Sequence, residues 1–579
     1  MKKLMLGNEA VARGAYEAGV LVATAYPGTP STEVTEYIAN YSDIKSQWSV
    51  NEKVALEVGI GSAIAGARTV VSMKHVGLNV AADPLMTVSY TGINAGLLIV
   101  VADDPSMHSS QNEQDTRYYG IFAKIPVLEP SNSQECKDYV KLGLEISEKY
   151  DTPVILRLGT RVSHSQSLVE LKERNEVGLK SYDYNPSKYI SAPINMRKRR
   201  VLVDERLLNL EKEAESISIN EIEYNSKKIG IITSGVAYNY AKDVVLDASF
   251  LKLGMTYPLP TNKIAEFINS CDTVYVFEEL EPITEQKIRS MGYNVIGKEV
   301  FPISGELSCE ILRKVLLNEI KEVLPPFEGL PQRPPVLCPG CHHRGPFYIL
   351  KKLKLHVAGD IGCYTLGGFA PLNAIDTTIC MGASVGMAHG FEQARGIDFA
   401  KKSVAVIGDS TFWHSGVSGL IDIVYNKGHS TVIILDNSVT AMTGHQENPS
   451  TGKTLSGEDT PVIDFEALGK SIGIRRTRVV DAYDLMELEK VIKEETNAEE
   501  PSLIITKRPC ILKKGIKFDF KTYVIDENNC NGCKLCLKIG CPAISFDGKI
   551  ARINTALCVG CGLCKDVCKF SAIDIEVKQ

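Results

Sequence analysis

Short, unbroken apolar runs recur along this chain, and between them apolar residues return every three to four positions. The clearest runs are Gly96–Asp103 (GLLIVVAD), Thr152–Gly159 (TPVILRLG), Lys228–Gly235 (KIGIITSG), Asp272–Glu279 (DTVYVFEE), Ser403–Ser410 (SVAVIGDS) and Ser430–Asn437 (STVIILDN). A strand covered on both faces has no polar face to show. Such runs alternating with helical periods therefore predict parallel sheets wrapped in helices, an α/β fold. A polar, basic stretch at Ser181–Arg200 and a proline-rich one at Leu324–Pro335 interrupt the pattern and read as linkers. They delimit α/β segments at 1–180, 200–325 and 336–512. In a last segment, 518–579, cysteines replace the apolar runs.

At 579 residues the chain is too long for one core. Hydrophobic and charged fractions of 44% and 23% are those of a globular protein, and a net charge of -6 leaves no basic footprint for nucleic acid. The longest apolar stretch, around AGLLIVVA, is far shorter than the roughly 20 residues that cross a bilayer. The opening MKKLMLGNEAVARGAYEAG lacks the apolar core and cleavage pattern of a leader. Eight of the sixteen cysteines lie in the last 50 residues, an expectation of a reducing, anaerobic cytoplasm rather than a disulfide scaffold.

Those eight form two runs, Cys530-x2-Cys533-x2-Cys536-x4-Cys541-Pro542 and Cys558-x2-Cys561-x2-Cys564-x3-Cys568. A thiolate every third residue, with a fourth further on, is how a short loop wraps a cubane iron–sulfur cluster. In two-cluster proteins the fourth cysteine of each run serves the other cluster. The expected quartets are Cys530, Cys533, Cys536 and Cys568 for one 4Fe-4S cluster, and Cys541, Cys558, Cys561 and Cys564 for the second. Zinc knuckles show paired CxxC instead. The four residues before Cys541, and Lys569 where a proline is usual, depart from the ordinary spacing.

A second signal lies at VAVIGDSTFWHSG…STVIILDNSV. One strand ends in Gly408-Asp409-Ser410 and the next in Asp436-Asn437, which brings a carboxylate and an amide to the carboxyl end of one sheet, where ligands bind. Hard oxygens there suit Mg²⁺, and the amides beyond Ser410 suit a phosphate. The segment resembles the thiamine diphosphate motif, GDG followed by about 25–27 residues and NN. Here 25 residues separate Ser410 from Asp436, with Ser410 for Gly and Asp436 for the first Asn. The resemblance implies Asp409, Asn437 and the Val439 carbonyl as metal ligands, with Gly408 and Ser410 beside the diphosphate.

Thiamine diphosphate and ferredoxin-type cysteines in one chain resemble the 2-oxoacid:ferredoxin oxidoreductase family, most closely the large subunit of its indolepyruvate subgroup. TAYPGTPSTEV (Thr24–Val34) is similar to the family's YPxTP turn, whose threonine, here Thr29, faces the substrate. NEKVALEVGIGSAIAGART (Asn51–Thr69) is similar to its Glu and Gly/Ala-rich helix. That puts Glu52 at the aminopyrimidine N1′, where a carboxylate favours the imino tautomer that accepts the C2 proton. CPGCHHR (Cys338–Arg344), GDIGCYTLG (Gly359–Gly367) and the x4 spacing resemble the indolepyruvate subgroup. Near Val101–Arg117, pyruvate-specific relatives carry an arginine for the substrate carboxylate, and this chain has Asp104.

The resemblance implies two doubly wound thiamine diphosphate-binding domains, 1–180 for the pyrimidine and 336–512 for the diphosphate, with the site where two such domains meet. It also implies a transketolase C-terminal-like domain at 200–325 and a two-cluster ferredoxin-like domain at 518–579. The implied reaction is oxidative decarboxylation of indolepyruvate, phenylpyruvate or hydroxyphenylpyruvate with coenzyme A as co-substrate, electrons leaving to a ferredoxin. The implied partner is a smaller beta subunit, in an αβ pair dimerised to α2β2. The same chemistry on pyruvate or 2-oxoglutarate is the alternative. Non-oxidative thiamine chemistry, and an electron-transfer subunit with a vestigial thiamine fold, fit less well.

Cys338, Cys341, Cys363 and Cys510 leave two readings open. Related enzymes hold a third cluster near the thiamine with this spacing, and a Cys-Pro-Gly-Cys turn shaping the diphosphate pocket is the plainer account. Cys136, Cys271, Cys309 and Cys380 read as core. His414 reads as structural, Glu278-Glu279 as solvated or hinge acids, and Met196–Arg200 (MRKRR) as a solvated linker.

Overall fold

The computed structural model describes residues 1–319, 329–330, 334–516 and 521–575. Most of the expected joint at 324–335 lies outside the described residues. The chain forms two compact units, Met1–Pro326 and Phe327–Gln579.

Each apolar run named above overlaps a strand: Leu97–Asp103, Val154–Gly159, Ser226–Thr233, Thr273–Phe277, Ser403–Gly408 and Thr431–Asp436. In the first unit Leu97–Asp103 is central to a seven-stranded sheet. The order is Met255–Tyr257, Val127–Leu128, Val154–Gly159, Leu97–Asp103, Thr69–Lys74, Val22–Ala25, Lys45–Trp48. All neighbours are parallel except the Met255–Tyr257 edge, which pairs antiparallel with Val127–Leu128. That edge strand comes from the 200–325 segment, so the two segments share one sheet. A four-stranded sheet follows, with Ser226–Thr233 between Thr273–Phe277 and Ala248–Leu253, and Asn220–Glu223 antiparallel at the far edge.

The stretch 181–200, expected as a linker, is exposed or half-buried throughout but is not irregular along its whole length. A 24-residue helix, Pro193–Ser216, begins inside it. Proline suits the first helical turn, where its missing N–H has no partner to lose. Arg199 donates to the Tyr90 carbonyl at 2.7 Å and to Asp151 at 2.8 Å, fastening the helix to the sheet domain.

The second unit is built on a five-stranded, wholly parallel sheet: His356–Ala358, Ser403–Gly408, Thr431–Asp436, Ser502–Lys507, Arg476–Asp481. The tail contributes two small antiparallel pairs, Tyr523–Ile525 with Ile573–Ile575 and Ile544–Phe546 with Ala551–Ile553. Tail and sheet domain share one core: Phe347, Leu350, Leu488 and Ile504 belong to the same buried cluster as Ile539, Leu563 and Ile573. No described helix is long and apolar enough to cross a membrane.

Candidate active site

Strands Ser403–Gly408 and Thr431–Asp436 lie side by side, so Asp409 and Asn437 leave adjacent strand ends. Asp409 is buried, and its carboxyl is pushed up to about 7 by burial and then by Asp436, against a hydrogen bond from Asn448 Nδ2 at 3.1 Å. No described cation lies within ion-pair distance of Asp409. Two neighbouring buried acids that are costly to ionise gain most from a divalent ion, so the donor set fits Mg²⁺. Asn437 Oδ1 accepts from the Val439 N–H at 3.0 Å, and Thr440 Oγ1 donates to Ser410 Oγ at 2.9 Å, which closes the loop around the acids. A Cβ on Gly408 would come 2.5 Å from Tyr364 Cε1, so only glycine lets that ring cover the strand end.

Asn448 and Asp360 were not found from the sequence. Asn448 reaches Asp409 across 39 positions with no motif to mark it. Asp360 sits in the quoted GDIG, but its task is visible only in space. It is fully buried and accepts from the N–H groups of Gly382 (2.9 Å) and Ser384 (3.0 Å), holding the entry to helix Ala383–Arg395. His414 is buried with Nδ1 2.6 Å from Ser415 Oγ.

Beside this loop lies a cysteine site. The Cys510 N–H donates to the Asn437 carbonyl at 2.9 Å, and Tyr364, against Gly408, follows Cys363 directly. Cys338, Cys341, Cys363 and Cys510 are near enough to influence one another. Burial pushes the Cys341 thiol up to about 12, with Cys338 and Cys363 adding to it. Burial, then Cys510 and Cys338, push Cys363 up to about 11. The Cys341 N–H donates to the Cys338 carbonyl at 3.1 Å, so the Cys-Pro-Gly-Cys turn is real and presents these thiols. Cys341 and the buried His342 and His343 also bring their ligand atoms within 4.8 Å of one another. Burial lowers the His342 imidazole to about 3 and His343 well below its ordinary range, so both are neutral. His342 Nε2 and His343 Nδ1 are without hydrogen-bond partners.

In the tail, Cys541, Cys558, Cys561 and Cys564 line one cavity, whose wall includes Pro339, Gly340 and Arg344 of the sheet domain. Cys530, Cys533, Cys536 and Cys568 line another, walled by tail residues alone. The fourth cysteine of each run thus faces the other run's trio. The extra residue before Cys541 is absorbed by Gly540, left-handed at φ +73° after the turn Cys536–Ile539.

In the first unit, Glu52 opens helix Glu52–Ile64 under the Asn51 cap, whose Oδ1 accepts from the Val54 N–H at 2.9 Å. Glu52 is buried, unlike an ordinary capping acid, and packs on Gly77, where a Cβ would lie 2.5 Å from its Oε1. Thr29 is tied to the next loop by Ser109 Oγ, which donates to its carbonyl at 3.2 Å. Asp104 is buried and accepts from the Ser109 N–H (2.8 Å), Ser110 (2.5 Å) and Thr160 (2.7 Å). Burial opposes its ionisation, but these bonds and Lys74 keep its carboxyl below the usual range.

Two further expectations fail. Cys380 is exposed, not core. Glu278 is buried and paired with buried Arg117 at 2.6 Å, not solvated, while burial pushes neighbouring Glu279 up to about 7. Long-range pairing gives both acids a role inside the first unit that their position in the chain does not signal.

Comparison with known proteins adds three family models. Pyruvate flavodoxin/ferredoxin oxidoreductase, thiamine diphosphate-binding, matches residues 13–221. The C-terminal binding domain of thiamine pyrophosphate enzymes matches 360–506, and the 4Fe-4S binding domain matches 551–574. These segments carry Glu52, the Asp409 loop and the second cysteine run. The chain is thus an oxidoreductase of the 2-oxoacid:ferredoxin class that binds thiamine diphosphate and iron–sulfur clusters. A protein from Pyrococcus horikoshii named indolepyruvate oxidoreductase subunit IorA is 40% identical, covering 99% of this chain and 97% of that one. Its Archaeoglobus fulgidus counterpart is 39% identical over the same shares. The chain belongs to the indolepyruvate oxidoreductase subunit IorA family. A solved 2-oxoglutarate:ferredoxin oxidoreductase from Magnetococcus marinus is 18% identical, with a TM-score of 0.45 over 54% of this chain and 64% of that one.

Proposed function

We propose that this chain is the large, catalytic subunit of an enzyme that oxidatively decarboxylates arylpyruvates with coenzyme A. The products are an arylacetyl-CoA, CO2 and two electrons passed singly to a ferredoxin. One observation carries the reading: the Cys510 N–H rests on the Asn437 carbonyl, so the cofactor loop and a cysteine site share a strand end. A decarboxylase without electron transfer has no use for that adjacency.

Bound thiamine diphosphate supplies a nucleophilic carbon and an electron sink. In this reading Glu52 holds the proton at the aminopyrimidine N1′ and Thr29 faces the substrate. Asp409, Asn437 and the Val439 carbonyl hold Mg²⁺ on the diphosphate, beside Gly408 and Ser410. Cys338, Cys341, Cys363 and Cys510 would hold a third cluster, which would supply an electron acceptor beside the cofactor loop. The tail quartets, Cys541, Cys558, Cys561 and Cys564, and Cys530, Cys533, Cys536 and Cys568, would hold two clusters that supply an exit for the electrons. Substrate preference draws on the relatives' printed name and on Asp104, an acid saturated with internal hydrogen bonds where an arginine would have met a small 2-oxoacid. A smaller beta subunit in an α2β2 assembly and a cytoplasmic setting complete the proposal. The same reaction on pyruvate or 2-oxoglutarate is the second reading.

The test is an anaerobic assay of the complex co-expressed with its small subunit, following coenzyme A-dependent viologen reduction. Reduction with indolepyruvate and phenylpyruvate but not with pyruvate or 2-oxoglutarate is expected. The opposite preference would keep the reaction and overturn the substrate. No reduction with any of them, in a complex holding thiamine and iron, would overturn the oxidative reading.

A further inference from the structure

Arg344 is 2% exposed and has no carboxylate within ion-pair distance among the described residues. Its guanidinium instead spends every N–H on backbone carbonyls from two distant loops. Nε and Nη2 donate to Cys338 O at 3.2 and 3.1 Å, and Nη2 also to Leu337 O. Nη1 donates to Ile539 O at 3.1 Å and to Gly540 O. The first pair belongs to the Cys-Pro-Gly-Cys loop. The second belongs to the turn that delivers Cys541.

The extra residue in the first run now has a use. With four residues before Cys541, the turn gains left-handed Gly540, and both of its last carbonyls face the guanidinium. The left-handed backbone at Gly540 favours glycine, and a Cβ there would sit tightly, 3.2 Å from Arg344 Nη1 and 3.1 Å from Pro371.

A buried cation without a carboxylate needs negative charge nearby. Arg344 lines the Cys541, Cys558, Cys561 and Cys564 cavity and is absent from the walls of the other. A cubane on four thiolates is net negative and becomes more so on reduction, so adjacent positive charge favours the reduced form.

We propose that Arg344 is a positioning residue for electron transfer. It clamps the tail onto the cofactor-binding domain and raises the reduction potential of the cluster held by Cys541, Cys558, Cys561 and Cys564. That inner cluster thereby accepts electrons ahead of the outer one. The inference rests on the cluster assignment above; a tail without iron would give no signal to titrate and would overturn that assignment instead.

The test is an EPR-monitored redox titration of the holoenzyme carrying R344M or R344K. In R344M, one tail cluster should shift to a lower midpoint potential while the other stays. R344K keeps the charge without the fork, so its potential should stay near wild type while the tail becomes more open to limited proteolysis. Unchanged potentials in iron-replete R344M would overturn the electrostatic role. Should R344M not retain its iron, R344K decides. Wild-type potential there, with faster proteolysis, supports the proposal. Loss of iron in R344K as well, or an equal fall in both clusters, reduces Arg344 to packing and overturns it.

Discussion

The surroundings of Asp409 and Glu279 push both acids up to about 7, and they make different predictions. D409N should weaken Mg²⁺-dependent thiamine diphosphate binding by more than about 100-fold, since losing an outer-sphere partner alone costs roughly 10–100-fold. Titration calorimetry measures this, with iron content as the control that the cysteine sites remain. Glu279 titrates in the fold at about 7 against an ordinary 4.5. Between those values the folded chain holds a proton that the unfolded chain has lost, so stability is greatest below about 4.5 and falls as pH rises through 7. E279Q, which keeps an acceptor for the Leu307 N–H, should remove that slope. The gain over wild type should reach up to about 3 kcal/mol at pH 8 and vanish near pH 4.5, read from denaturant unfolding at both pH values. E52Q should leave thiamine diphosphate bound and lower kcat by about 100- to 10,000-fold, the usual worth of a positioned proton-transfer group.

Among the elements, helix Glu52–Ile64 shows how local sequence and packing divide the work. Asn51 followed by an acidic first turn is an ordinary helix start, and N51A should cost about 1 kcal/mol of stability. Whether Glu52 then faces solvent or interior depends on Gly77, at the start of a neighbouring helix. G77A puts a methyl where the Glu52 carboxylate lies, so kcat should fall while the melting temperature moves little. A fall in melting temperature with unchanged kcat would show that Glu52 has no task there. Five of the six apolar runs were readable as strands because interior parallel strands need apolar residues on both faces, and the sixth, Thr273–Phe277, kept its run at a sheet edge. Arg476–Asp481 and Lys45–Trp48 were not, because these two edge strands are half exposed and carry polar residues in place of a run. The basic run at 196–200 misled for a related reason: a helix held by arginines to carbonyls and Asp151 has the composition of a linker.

At the scale of the molecule, iron per chain separates the two readings of Cys338, Cys341, Cys363 and Cys510: about eight atoms for two clusters, about twelve for three. Because the tail shares a core with the sheet domain, removing iron should do more than release the metal. Chelated protein should be cleaved within 521–575 faster than the iron-replete form under limited proteolysis, and equal rates would mean that packing alone holds the tail. The cysteine runs and the GDS…DN strand ends were legible in the sequence because each is a short-range pattern of residue types: closely spaced thiols in one, acid and amide groups at strand ends in the other. Domain class followed from the same short-range logic, since apolar runs and helical periods are local consequences of burial. What the tertiary structure decided was which distant residues share an environment. Asn448 beside Asp409, Cys510 on the Asn437 carbonyl, Glu278 on Arg117 and Arg344 between two cysteine loops all depend on chain crossings. Hydrogen bonds and charge act over a few ångströms of space and are indifferent to separation along the chain, so no local pattern could have announced them.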